Sequence, residues 1–377
     1  MYIRSPKKKS SSPLRVLILL VLIAAGIYLV VWQRDLITPL QIGPTPTPTA
    51  TVEDLMADAH ELYLAGDMDG AIAKYSEAAT LESSNPIPYV WWSHLLILRG
   101  HTSEGVEKAR LAVGAAPDSA EALAALCMAL DWDAGFGEHE KLQEALSSCL
   151  SATDLDPGYA EGHAYLAEVY ADLGQTQDAV ESARLAVSLD DSSVFAHRDL
   201  AYALEQQRKY QAAVAEYQRA SQLHPRLAQP YIDMGHIHKK HNRYKDALAA
   251  YEKATVVDPN SAYAHYWLGL AYHETGNYQR AVVVLKKASE LDPSFAPAVG
   301  RLGLAYYVLR TYEGAIAAYQ QAIEAGSDDP EYYYELGLSY VYLDRCDEAV
   351  PWLEQAIEID ATAWPAWDGL DICAGRE

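Results

Sequence analysis

Residues 266–281 read YWLGLAYHETGNYQRA. Sliding the chain along itself by 34 residues lays Gly269 over Gly303 and Gly337, and Ala281 over Ala315 and Ala349. Counted from Val52, the frame has units starting at Val52, Pro86, Ala120, Ala160, Val194, Ala228, Ala262, Ala296 and Pro330; only the unit from Ala120 is longer, by six residues. The eighth residue of every unit is small: Ala59, Ser93, Cys127, Ala167, Ala201, Gly235, Gly269, Gly303 and Gly337. Nineteen places on from each start, allowing for the insertion, stand Ala71, Gly105, Ala145, Ala179, Ala213, Ala247, Ala281, Ala315 and Ala349. Seven places further, all nine units carry alanine, from Ala78 to Ala356. Seven residues make about two helical turns, so both small positions face one way.

The pattern predicts two antiparallel helices per unit. Small side chains where they cross let the backbones approach, and Leu, Tyr and Trp fill the space around them. Asp156-Pro157, Asp258-Pro259 and Asp292-Pro293, with Pro117 and Pro225, mark helix stops between units, because proline disfavours helix at the residue before it. One such pair cannot bury its apolar face, so neighbours must stack into a continuous core. The expected fold is an all-α solenoid.

The pattern resembles the tetratricopeptide repeat, most cleanly in YWLGLAYHETGNYQRA and in YYELGLSYVYLDRCDEA (Tyr333 to Ala349), over residues 52–363 in nine repeats. Residues 364–377 look like the closing helix of such arrays. The resemblance implies a right-handed superhelix whose first helices line a concave groove for peptides or protein segments. Members that clamp a C-terminal carboxylate use Lys and Asn in those helices; here the corresponding positions hold residues such as Tyr202, His236, Tyr266 and Leu270, so that clamp is absent.

Residues 16–32, VLILLVLIAAGIYLVVW, carry no charge in 17 residues and as a helix would span roughly 26 Å. Tyr28 and Trp32 sit at the distal end, where amphipathic rings favour the membrane interface. Arg4, Lys7, Lys8, Lys9 and Arg15 precede the run, while Arg34 beside Asp35 follows it. The positive-inside rule then makes residues 1–15 a cytoplasmic tail and places the repeats outside the cytoplasm on a single-pass anchor. A cleaved signal peptide fits less well, since Ala24, Ala25 and Gly26 are followed by six more apolar residues. Residues 33–51 form a Pro/Thr-rich linker whose GPTPTPTAT stretch favours extended polyproline II and acts as a spacer.

From Val52 onward, 23 basic residues face 51 acidic ones, a balance of −28. Such a body repels nucleic-acid phosphate, so the expected partners are neutral or basic protein segments and no nucleic acid. The repeats leave no stretch for a catalytic domain, and Gly135-Phe136-Gly137 lacks the third glycine and the strand of a dinucleotide loop. No enzyme activity and no cofactor are expected. His236, His238 and His241 are the nearest approach to a metal cluster, but only His238 and His241 share a helical face, and Lys239 and Lys240 would repel a cation. The six-residue insertion falls within Asp131 to Gln143, in the turn of the third unit, where Phe136 could serve as a docking tip or pack back on its own repeat.

The outward positions of the first helices offer Tyr202, His236, Tyr263, Tyr266, His273, Tyr307, Tyr334 and Tyr342 as groove residues, with Glu161, Glu168, Asp172 and Glu205 in units four and five. Tyrosine suits this role because it gives contact area and a polar tip at low entropic cost. With 27 Tyr against three Phe, several of these rings could instead pack between repeats. Cys127 and Cys149 fall in the two helices of one unit, and Cys346 lies near Cys373 of the closing helix, so two disulfides are possible in an oxidising compartment. The function expected is a membrane-tethered protein-interaction scaffold; a carbohydrate- or wall-binding module and a non-catalytic subunit of an enzyme complex are the alternatives.

Overall fold

The computed structural model describes residues 12–32, 50–134 and 138–375. The chain divides into two compact units, 1–50 and 51–377. In the first, helix α1 (Pro13–Trp32) exposes the apolar side chains described in it, with Leu17, Leu22 and Val31 each about 60% accessible or more. No helix among the described residues is long and apolar enough to cross a membrane. Arg4, Lys7, Lys8, Lys9, Arg34, Asp35 and the Pro/Thr stretch lie outside the described residues, as does Phe136.

The second unit is a solenoid of helix pairs with no strand among the described residues. The pairs are α2 (Val52–Ala65) with α3 (Met68–Leu81), α4 (Pro86–Leu98) with α5 (Thr102–Ala115), and α6 (Ala120–Ala134) with α7 (His139–Leu155). Then come α8 (Ala160–Asp172) with α9 (Thr176–Leu189), α10 (Val194–Gln206) with α11 (Tyr210–Leu223), and α12 (Gln229–Lys240) with α13 (Tyr244–Val257). Finally α14 (Ala262–Glu274) pairs with α15 (Tyr278–Leu291), α16 (Ala296–Val308) with α17 (Tyr312–Glu324), and α18 (Pro330–Val341) with α19 (Cys346–Ile359), before α20 (Trp364–Cys373) closes the array. First helices begin on the 34-residue frame except α12, where Ala228 is the cap residue.

After five of the second helices, Asp rather than Pro makes the turn. Asp156, Asp190, Asp258, Asp292 and Asp360 each leave the helix and accept, at Oδ1, the backbone N–H two residues on, at 2.8–3.2 Å. This Asx turn forms equally at Asp190 and Asp360, which no proline follows. Within units, the tight turn needs a left-handed residue. Gly66, Gly100, Gly174 and Gly276 supply it with φ of 75–88°, whereas Arg208, Asn242, Arg310 and Asp344 adopt φ near 60° at the same place.

In the sixth to ninth units a glycine at the eighth position makes room for the residue facing it on the second helix, whereas the first and fifth units hold Ala59 with Tyr75 and Ala201 with Tyr217 at the same two places. A Cβ on Gly235, Gly269, Gly303 or Gly337 would come within 2.4–2.7 Å of Tyr251, Leu285, Tyr319 or Leu353 respectively. In the fourth unit, Ala167 and Ala183 are the corresponding pair, both fully buried. The third unit fills the same place with a disulfide between Cys127 and Cys149, whose Cα atoms are 5.3 Å apart, within the usual range of about 4.4–6.8 Å. A second disulfide, Cys346–Cys373, ties α20 to α19 with a Cα separation of 5.5 Å. The six extra residues mostly lengthen helices: α6 has 15 residues and α7 has 17, where α8 and α9 have 13 and 14.

Units one and two also touch units far along the chain. Arg99 forms ion pairs with Asp69 and Asp258, both at 2.9 Å, and His101 meets Asp292 at 3.0 Å. The Tyr63 ring lies 4.6 Å from that of His224, and Arg226 donates to the carbonyl of Ala65 at 2.9 Å. At Gly100, a Cβ would strike the Tyr263 ring at 2.7 Å. Contacts 150 or more residues apart therefore close part of the solenoid on itself.

Candidate binding groove and acidic cavity

Consecutive first helices α6, α8, α10, α12 and α14 together wall a cavity of about 670 Å³. At its centre is Arg198, buried beneath Trp132 with its guanidinium carbon 4.5 Å from the ring centre. Its Nη1 and Nη2 donate to the two carboxylate oxygens of Glu168 at 2.7 and 2.8 Å, a fork-on-fork pair. Nη1 also reaches Asp199 at 2.6 Å, and Nε reaches Asp233 at 3.0 Å. Trp132 Nε1 donates to Glu168 at 3.1 Å, and Gln229 Nε2 to Asp233 at 2.8 Å.

One buried cation thus serves several carboxylates. Burial pushes Asp131 well above the usual carboxylate range, reinforced by the charges of Glu168, Asp172 and Asp199 and opposed by Arg198. Asp199 is displaced the same way, first by burial and then by Glu168. Burial also raises Asp172 to about 6, although Tyr202 donates a hydrogen bond to it. Asp233 is raised by burial, with Arg198 and Gln229 holding it back. At the rim, Lys240 pairs with Glu205 at 2.9 Å. The α6 wall is braced from outside: Asp133 accepts from Thr102 and Ser103 at 2.8 Å, and pairs with Lys141 of the lengthened α7 at 2.9 Å.

The tyrosines and histidines singled out in the sequence do not form one strip. Tyr202, His236 and Tyr263 line the acidic cavity. His236 packs edge-on to Trp267 at 4.2 Å, and burial, helped by the nearby Lys239 and Arg198, lowers it to about 3, so it is neutral at physiological pH. Tyr263 also packs on Phe295 and on the turn at Gly100, and Tyr266 stacks edge-on to Phe295 at 5.3 Å; both are largely covered by the protein's own residues. His273 sits against Tyr278, and Tyr334 packs against the core. Tyr307 and Tyr342 belong to a separate cluster with Tyr312, in which Tyr312 and Tyr342 stack at 5.0 Å. Among the acids, Glu168, Asp172 and Glu205 reach the cavity, while Glu161 accepts from Ser193 Oγ instead. His238 and His241 both engage Tyr210, and no metal-holding group of three acids, histidines or cysteines occurs among the described residues.

Asp131, Trp132, Arg198, Asp199, Gln229 and Asp233 were not evident as site residues in the sequence. One signal was there to be read: Asp199 and Asp233 stand one period apart at a position that holds Trp91, Tyr165 and Trp267 in other units. Carboxylates replacing aromatics at a core position require a buried partner, which Arg198 provides.

Family models described as "TPR repeat" and "tetratricopeptide repeat" match residues 235–276, 272–336 and 330–362. Residues 235–362 are therefore similar to tetratricopeptide repeats. Among solved structures, the hetero-tetramer Cut9–Hcn1 of the APC/C matches with a TM-score of 0.51 and 16% identity, over 81% of this chain and 59% of that one. This likeness is one of fold. YrrB, a TPR protein with an unusual peptide-binding site, matches with a TM-score of 0.43 and 21% identity, over 51% of this chain and 99% of that one. PilF of Pseudomonas aeruginosa matches with a TM-score of 0.47 and 19% identity, over 56% and 96%. No curated protein sequence matches the chain.

Proposed function

We propose that this protein is a membrane-tethered scaffold whose repeats lie outside the cytoplasm and hold a neutral or basic segment of a partner protein. The observation that carries the binding half is the cavity of about 670 Å³ walled by five consecutive first helices, with aromatic rings beside carboxylates. A groove of this kind presents apolar surface for side chains and acceptors for a peptide's N–H groups and cations. Two disulfides support an oxidising compartment. The tether rests on the sequence alone, on the uncharged run of residues 16–32 behind a basic N-terminal stretch. In-cell crosslinking of the full chain, followed by identification of the attached proteins, tests the binding reading. Recovery of one defined partner, crosslinked through first-helix residues, is the expected result. Crosslinks confined to the outer second helices would refute it.

A further inference from the structure

We propose that the acidic cavity holds one cationic side chain, an arginine, from the segment bound along the groove. This rests on the groove reading above and adds the chemistry of the anchor. Asp131, Glu168, Asp172, Glu205 and Asp233 line the cavity, against Arg198 and Lys240. Arg198 is already spent on Glu168, Asp199 and Asp233, and Lys240 on Glu205. Asp131 and Asp172 are left without a cation in contact.

A cluster of acids does not by itself specify a ligand, but the unpaired atoms here do. Asp131 lines the cavity with 6% of its surface exposed, and its Oδ1 receives no donor; Gln229, 4% exposed, has its Oε1 in the same condition. Both atoms are acceptors, and leaving a buried acceptor unpaired is unfavourable. What enters must donate several hydrogen bonds and carry positive charge. The described acids are not grouped to ligate a metal ion, which favours an extended organic cation over a point charge. A planar guanidinium meets the need, since its fork spreads donors over separated carboxylates and its face stacks on rings. Arg198, forked onto Glu168 and lying under Trp132, already shows that geometry in this cavity.

The test uses the full chain in detergent and immobilised pools of short peptides, random except for one position fixed as arginine, lysine, norleucine or glutamate. The arginine pool should retain the chain roughly ten-fold better than the norleucine pool, with lysine between them. In the isosteric variants Asp131→Asn and Asp172→Asn, checked for unchanged helicity, the ratio should fall toward one. Equal retention on arginine and norleucine pools would overturn the cavity assignment while leaving the groove reading in place. A preference for arginine that survives in the doubly substituted chain would overturn it too, by placing the cation elsewhere. No retention on any pool would remove the groove reading and this inference with it.

Discussion

Replacing Gly303 by alanine adds one carbon at the tightest point of the eighth unit. That Cβ would lie 2.7, 2.8 and 2.9 Å from three atoms of the Tyr319 ring, where contact distances of about 3.5–4.0 Å are normal. The ring cannot simply retreat: Tyr319 is fully buried, packs on Tyr332 at 6.0 Å between centroids, and donates its hydroxyl hydrogen to Glu335. Overpacking of this kind costs about 1–3 kcal/mol. The better helix propensity of alanine returns about 1 kcal/mol, leaving a net loss of roughly 1 kcal/mol. With Tyr319→Ala in the background the clash is gone and the pair becomes that of Ala167 and Ala183 in the fourth unit. There Gly303→Ala should stabilise by about 1 kcal/mol, giving a coupling of roughly 2 kcal/mol between the sites. Urea unfolding of the four chains, with m compared among them and hydrogen exchange followed in α16 and α17, measures this. If Gly303→Ala stabilises equally in both backgrounds, volume matching across the helix pair is not what sets the small position.

Two more outcomes are expected. Arg310 holds a left-handed turn at φ 59° where the first, second, fourth and seventh units use glycine, so Arg310→Gly should raise stability by about 1 kcal/mol in urea melts; a loss would show that its side chain contributes more than its backbone costs. Glu335, buried in α18, is raised to about 7 by burial and the charge of Glu331, against the hydrogen bond from Tyr319 and the charge of Arg301. A raised folded value favours the protonated state, so the associated stability is present below about 4.5 and lost as pH rises through about 7. The Glu335→Gln chain should gain on the wild type across that window by about 3 kcal/mol at most, and urea midpoints at pH 5 and pH 8 that shift in parallel would contradict the placement of this carboxyl.

The parts of the fold that repeat were legible because they are nearest-neighbour facts. Alanine at nine equivalent places can only mean helices crossing closely, and the frame located first-helix starts to the residue, missing only α12. There Ala228, with φ −70° and ψ −31°, has helical angles yet serves as the cap before Gln229. Long-range contacts were not legible. Arg99 and Asp258 are 159 residues apart, and their meeting depends on small rotations accumulated over several units, which no periodicity reports. That is why Tyr263, placed on the outward face of α14, is largely occupied by Gly100, while Tyr266 is covered from the adjoining unit by Phe295. The acidic half of the site was partly visible in Glu168, Asp172 and Glu205. Its centre was not, because Arg198, Asp199 and Asp233 sit within the apolar frame, and a sequence read one helix at a time does not bring together residues from five helices.

The same long-range contact bears on how the cavity works. Tyr263 forms one side of the cavity, and behind it the backbone of Gly100 approaches so closely that no other residue would fit. Gly100 is fixed in turn between Arg99, paired to Asp258, and His101, paired to Asp292. On the opposite side, Asp131 and Trp132 lie on α6, which the Cys127–Cys149 disulfide and the Lys141–Asp133 pair tie to α7. Both walls are therefore held by bonds outside the cavity. A site whose walls are held in place spends little of its binding energy on ordering itself. The carboxyl groups inside it stay close because the surrounding structure prevents them from moving apart, which favours the protonated form of Asp131 and Asp199, and a cation that enters favours their ionised form instead.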